Sequence, residues 1–135
     1  MTVYLGIKFH ADNSNQAKIE ALTDVLTECG LKGVCIQRDV EKWGEITLSS
    51  SDLMQKTFEL IETCDLAIID LTEKGVGLGI EAGYAYAKGI PVITIAELGS
   101  DISTTLTGIS ESVHHYQDTD ELKQIFLRSL SLWLN

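Results

Sequence analysis

The sequence is poor in most features that announce a specialised class of protein. One proline in 135 residues, Pro91, leaves no proline-rich linker, and nothing repeats. A single domain is therefore expected over residues 1–135. The three cysteines, Cys29, Cys35 and Cys64, are odd in number and lack a C-x-x-C spacing, which argues against a disulfide framework. They read as small buried hydrophobes in a reducing, cytoplasmic compartment. His114 and His115 are neighbours in sequence and would face opposite ways in a strand, so no metal site is expected, nor any cofactor. Basic residues are scarce: 10 Lys and Arg against 20 Asp and Glu, a formal net charge of −10. That balance speaks against a nucleic-acid binder, whose affinity rests on basic side chains displacing counterions. It speaks equally against a polybasic membrane module. No apolar run approaches the ~20 residues of a membrane span. The N-terminus, MTVYLGIKFH, lacks the basic start and long apolar stretch of a signal peptide.

What is present is a globular composition, 44% hydrophobic, with a regular alternation of patterns. Apolar runs at 3–9, 33–37, 65–71, 91–97 and 112–116 read as strands. Between them lie helical periodicities. The first, 15–29, puts Ala17, Ala21, Leu22, Val25, Leu26 and Cys29 on one face and stops at Gly30. A second helix runs to about Thr63 and opens at Asp52, which with Gln55 resembles a capping box. A third runs from Ile80 to Lys88, a short helix falls within 100–108, and a last amphipathic helix is capped by Asp118 or Thr119. Residues 38–51 form a long loop, of a length that is often functional. Strands buried on both faces and alternating with helices predict an α/β fold: a single-domain, doubly wound, flavodoxin-like sheet of five parallel strands with helices on both faces. Ligands of such sheets bind beyond the carboxyl ends of the strands.

The segment 64–97 is the richest in chemistry. Gly75, Gly77 and Gly79 would let a ligand approach the backbone, and the following helix aims its N-terminal N–H groups at the same place. Glu81 falls in the expected first turn, where an acid is also favoured by the helix dipole alone. Gly77 to Ala82 fits the G-x-G-x-x-A dinucleotide pattern, and Glu97 stands where a ribose-binding acid belongs. Against that reading, the pattern follows the third strand and not the first, and the chain leaves little room for a substrate half.

The same segment resembles the nucleoside 2-deoxyribosyltransferase family, including its deoxynucleoside-monophosphate N-glycosidase branch. The residues that carry the resemblance are Asp65, Gly77, Gly79, Glu81, Gly83, Ala85 and the strand from Pro91, with Tyr4 in the first strand and ISTTLTGIS at 102–110. The resemblance implies cleavage or transfer of the N-glycosidic bond of a (deoxy)nucleoside. Glu81 would be the nucleophile and Tyr4 would orient it. It also implies a homo-oligomer in which the segment containing Ser103 completes a neighbour's site. A carboxylate nucleophile suits an oxocarbenium-like transition state, since it divides one hard displacement into two. Asp70, Gly77, Gly79 and His10 stand at the expected ligand edge as candidate substrate contacts. The small-molecule partner is then nucleoside-like. Asp12, in the loop after the first strand, would repel a phosphate. One position departs from the family pattern. Eight residues before Asp65 the family carries an Asp that protonates the leaving base, and here that residue is Thr57, which cannot act as a general acid near neutral pH. Two alternatives stay open. Either Asp39 or Glu41 of the long loop supplies the proton, or the chain is a nucleoside-binding module without catalysis.

Overall fold

The computed structural model describes residues 1–133. Five strands form one parallel sheet: β1 (Thr2–Gly6), β2 (Lys32–Val34), β3 (Leu66–Asp70), β4 (Val92–Glu97) and β5 (Ser112–Tyr116), in the order β2-β1-β3-β4-β5. The helices are α1 (Gln16–Glu28), α2 (Ser50–Glu62), α3 (Val76–Ala87), α4 (Thr104–Ile109) and α5 (Thr119–Trp133). This is the expected doubly wound architecture. The chain reverses direction across the sheet between β1 and β3, which makes that boundary the topological switch point.

Side-chain alternation along the strands divides the interior into two cores. Val3, Leu5, Leu66, Ile68, Ile93 and Ile95 face α1 and α5, meeting Ile19, Leu22, Leu26, Leu122 and Phe126. Tyr4, Ala67, Ile69 and Val92 face the other way, against Ile61, Leu78, Ala82, Ala85 and Leu106 of α2, α3 and α4. Helix α1 buries Ile19 where the sequence suggested Ala17, which is exposed. The larger side chain claims the core position because more apolar surface leaves water. α1 and α3 each end two residues before a left-handed glycine, Gly30 at φ 80° and Gly89 at φ 75°, with one capping residue between, as the C-terminal stop chemistry requires.

Four elements differ in their bounds from the sequence reading. β1 and β2 are shorter than expected, and residues 36–40 form a π-helical turn followed by a 3₁₀ turn at 42–44. α2 is capped by Ser49, whose hydroxyl accepts from the Asp52 N–H at 3.1 Å; Asp52 is thus three residues inside the helix. α3 begins at Val76, four residues earlier than predicted. Glycine disfavours helix by about 1 kcal/mol relative to alanine. Burial of Leu78 and Ala82 in the second core outweighs that cost here. Gly77 and Gly79 therefore belong to the helix and not to a loop, and Glu81 lies in its second turn.

None of the described helices is long and apolar enough to cross a membrane. Cys29, Cys35 and Cys64 are free thiols. Among the described residues no group of three or more His, Cys, Asp or Glu is placed to hold a metal ion.

Candidate active site

A cavity of about 310 Å³ opens beyond the carboxyl ends of β1 and β2, on the α2–α3 face of the sheet. Its walls are mostly apolar: Leu5, Ile7, Phe9, Ile36, Leu53, Met54, Val76 and Leu78. Into this setting the fold brings seven polar or ionisable side chains: Tyr4, Lys8, Cys35, Gln37, Glu41, Thr57 and Glu81. Few polar groups on an apolar wall is the usual make-up of a small-molecule site.

Glu81 and Tyr4 meet although 77 residues separate them. Tyr4 sits in mid-strand on β1 and is buried; its hydroxyl donates a hydrogen bond to Glu81 Oε1. Burial pushes Glu81 up to about 7, against the lowering effect of the tyrosine. Burial and the neighbouring carboxylate hold the Tyr4 phenol well above its ordinary value, so it remains a donor. Helical side chains lean toward the N-terminus of their helix, which carries the Glu81 carboxylate over Gly77, one turn earlier. A Cβ at residue 77 would lie 3.8 Å from Glu81 Oε2. With glycine at 77, no side chain stands beside that oxygen.

Two further walls are set by a polar network behind the cavity. Asn15 and Gln37 are both buried and bond to each other. Asn15 Nδ2 donates to the Lys8 carbonyl at 2.8 Å, and Gln37 Nε2 to the His10 carbonyl at 3.1 Å and to Asn13 Oδ1 at 2.9 Å. Asn13 Nδ2 in turn donates to the Trp43 carbonyl at 2.8 Å. The loop after β1 is thereby pinned to the loop after β2, and every member finds a partner, as buried amides must.

The family model for nucleoside 2-deoxyribosyltransferases matches residues 3–121. The chain belongs to that family. A Thermofilum pendens protein provisionally named 2'-deoxynucleoside 5'-phosphate N-hydrolase 1 is 27% identical over 133 residues, spanning 90% of this chain and 89% of its own. Among solved structures, a 2-deoxyribosyltransferase from Bacillus psychrosaccharolyticus aligns with a TM-score of 0.72 at 18% identity, over 91% of this chain and 90% of its own. The CMP N-glycosidase of Clostridium botulinum aligns with a TM-score of 0.61 at 23% identity, over 93% and 98%. Family membership sets the coarse chemistry, which is cleavage or transfer of the N-glycosidic bond in nucleosides or nucleotides.

Against the expectations for a nucleoside 2-deoxyribosyltransferase relative, the fold brings together Glu81, Tyr4 and Gly77 at the cavity. Gly79 is on the exposed side of α3 and does not line it. Asp70 points to the opposite face of the sheet, because it is an odd number of residues from Ile69 and follows the parity of Ile68. There it is buried, accepting from the Tyr116 hydroxyl at 2.5 Å and the Thr72 N–H at 2.9 Å, with Lys18 Nζ at 3.5 Å. His10 stays outside the cavity, its ring bonded to Glu73 at 2.9 Å and Ser14 at 3.0 Å. Ser103 caps α4 and is also outside the cavity. Thr57 does line it, but its hydroxyl donates to the Leu53 carbonyl at 2.7 Å. Asp39 pairs with Arg38 at 2.9 Å and accepts from the Cys35 N–H at 2.8 Å, away from the cavity. Lys8, Gln37 and Met54 were not singled out from the sequence; Lys8 and Gln37 fall within the runs 3–9 and 33–37 that read as strands, and no spacing marks them.

Proposed function

We propose that the protein breaks the N-glycosidic bond of a deoxynucleoside, or of its 5'-monophosphate, through a covalent glycosyl intermediate on Glu81. The observation that carries this reading is a carboxylate left uncovered by Gly77 in an apolar cavity, held by a buried tyrosine at the switch point of the sheet. Glu81 attacks the anomeric carbon as the bond to the base breaks, and the base departs with the electron pair. A water, or an incoming base, then takes the sugar and frees Glu81. Tyr4 fixes one carboxylate oxygen, leaving the other to react. The apolar walls at Ile7, Phe9, Ile36 and Met54 suit the faces of a nucleobase.

The structure changes one substrate expectation. Asp12 lies exposed and does not line the cavity, and it accepts from the Ser14 N–H at 3.0 Å, which supports admitting a phosphorylated substrate. Lys8 is the cation in the cavity wall. Both nucleosides and their 5'-monophosphates therefore belong in the substrate class. Base release from a panel of each, followed by chromatography, tests the proposal with Glu81→Gln as the control. Wild type should release base from at least one compound and the folded variant from none. Equal cleavage by both proteins would overturn the role of Glu81. Binding without cleavage by wild type would favour the non-catalytic module, for which the engaged Thr57 hydroxyl speaks.

A further inference from the structure

Glycosyl transfer needs a proton for the departing base, and neither Thr57 nor Asp39 has one to give. Glu41 is the second carboxyl in the cavity wall. We infer that Glu41 is the acid that protonates the leaving nucleobase and the base that later accepts the proton of the attacking water. The inference rests on the reading of Glu81 as nucleophile.

The backbone around Glu41 is fixed far more tightly than a loop ordinarily is. Its N–H closes the π-helical turn on the Ile36 carbonyl at 2.9 Å, and its carbonyl accepts from the Gly44 N–H at 3.0 Å and the Ile46 N–H at 3.0 Å. The next two residues, Lys42 and Trp43, hold left-handed φ values of 50° and 58°, which non-glycine residues adopt only where their surroundings enforce it. Here the enforcement is visible. Asn13 grips the Trp43 carbonyl, and the Trp43 side chain packs against the first core. The Gln37–Asn15 pair anchors the same segment from behind. Backbone strain of this kind clusters where a side chain must be aimed.

The Glu41 side chain itself differs from those of its acidic neighbours. Asp39 spends its carboxylate on Arg38 and the Cys35 N–H. Glu41 has no such partner among the described residues, and burial raises it with no cation or donor pulling it back. The titratable groups sharing the cavity are Tyr4, Lys8, Cys35 and Glu81. In the first half-reaction the bond from the anomeric carbon to the base nitrogen breaks, its electron pair stays with the base, and the Glu41 O–H proton neutralises that base at a ring nitrogen. Glu81 forms the new bond to carbon. In the second half-reaction the Glu41 carboxylate takes a proton from water as the water oxygen displaces Glu81, which restores both groups.

Leaving-group dependence tests this role. Glu41→Gln and wild type are compared on the best natural substrate of the panel and on 4-nitrophenyl 2-deoxyriboside carrying the same 5' group. Nitrophenolate departs without a proton. The variant should lose about 10²- to 10⁴-fold in kcat/KM on the natural substrate, yet stay within about threefold of wild type in kcat/KM on the activated one, because kcat/KM reports the first half-reaction and leaves out the water step that Glu41 also serves. Retained activity there also shows that the variant folds. Equal losses on both substrates, or no loss on either, would overturn the assignment of Glu41 while leaving Glu81 intact. Glu81→Gln should lose both substrates. A wild-type protein that cleaves neither would overturn the underlying reading and the role of Glu41 with it.

Discussion

At Glu81 two opposing influences set the proton affinity. Burial raises it to about 7, and the Tyr4 hydroxyl, donating to Oε1, lowers it from what burial alone would give. A nucleophile works as the carboxylate. On 4-nitrophenyl 2-deoxyriboside, whose leaving group needs no proton from Glu41, kcat/KM should therefore rise with pH through about 7 and level off above. Tyr4→Phe removes the donor that favours the charged form, so its rising limb should move to higher pH. A hydrogen bond to a charged group contributes about 1.5–3 kcal/mol. The variant should accordingly lose roughly ten- to hundredfold in kcat/KM at neutral pH. An unchanged profile would mean that the phenol does not act on the Glu81 proton. The Asp70–Tyr116–Lys18 cluster is the contrasting case. It places an acid at the end of a central strand too, but on the other face and fully engaged, which is the arrangement of a structural tie.

Helix α3 shows how an element can put function ahead of helix propensity. Gly77 contributes nothing to the helix except room for the carboxylate above it. Gly77→Ala adds a methyl at ordinary contact distance and should raise the melting temperature, since alanine is the better helix former by about 1 kcal/mol. Gly77→Leu should fold but place its side chain across Glu81, costing at least tenfold in kcat/KM, or about 1.4 kcal/mol of barrier. A Gly77→Leu protein with full activity would show that substrate reaches Glu81 from elsewhere. The same glycines explain what the sequence concealed. Continuous apolar runs and helical patterns marked the five strands and five helices, because they report burial directly. The start of α3 was hidden because Gly75–Gly79 reads as a loop until the partner surface for Leu78 is known. The polar network failed to show for a similar reason. Asn13 and Asn15 look like turn formers and Gln37 like the end of a strand, and only the packing of two loops distant in sequence turns them into a scaffold. Parity along β3 could have revealed that Asp70 faces away from Tyr4, given the register of Tyr4 with Ala67.

On the scale of the whole molecule, the sheet separates two tasks. The α1–α5 side is closed by large apolar residues, and the α2–α3 side carries the cavity. The outer surface of α3 remains open. Val76 is 84% exposed, Tyr86 58% and Ile80 45%, with Gly79 and Gly83 between them meeting no neighbour. A second copy of this chain docked on this apolar face would lie beside the cavity mouth at Val76 and Gly77, and the expected homo-oligomer is tested there. Sedimentation of wild type should give a dimer or larger species and Ile80→Arg a monomer; a monomeric wild type at high concentration would contradict this. Every part of the account converges on one covalent event. A 2-deoxy-2-fluoro nucleoside slows release of the glycosyl intermediate, and mass spectrometry of the digested protein locates the adduct. The account predicts the sugar on the peptide carrying Glu81, absent from Glu81→Gln. An adduct on another residue, or turnover by the variant at the wild-type rate, would contradict it.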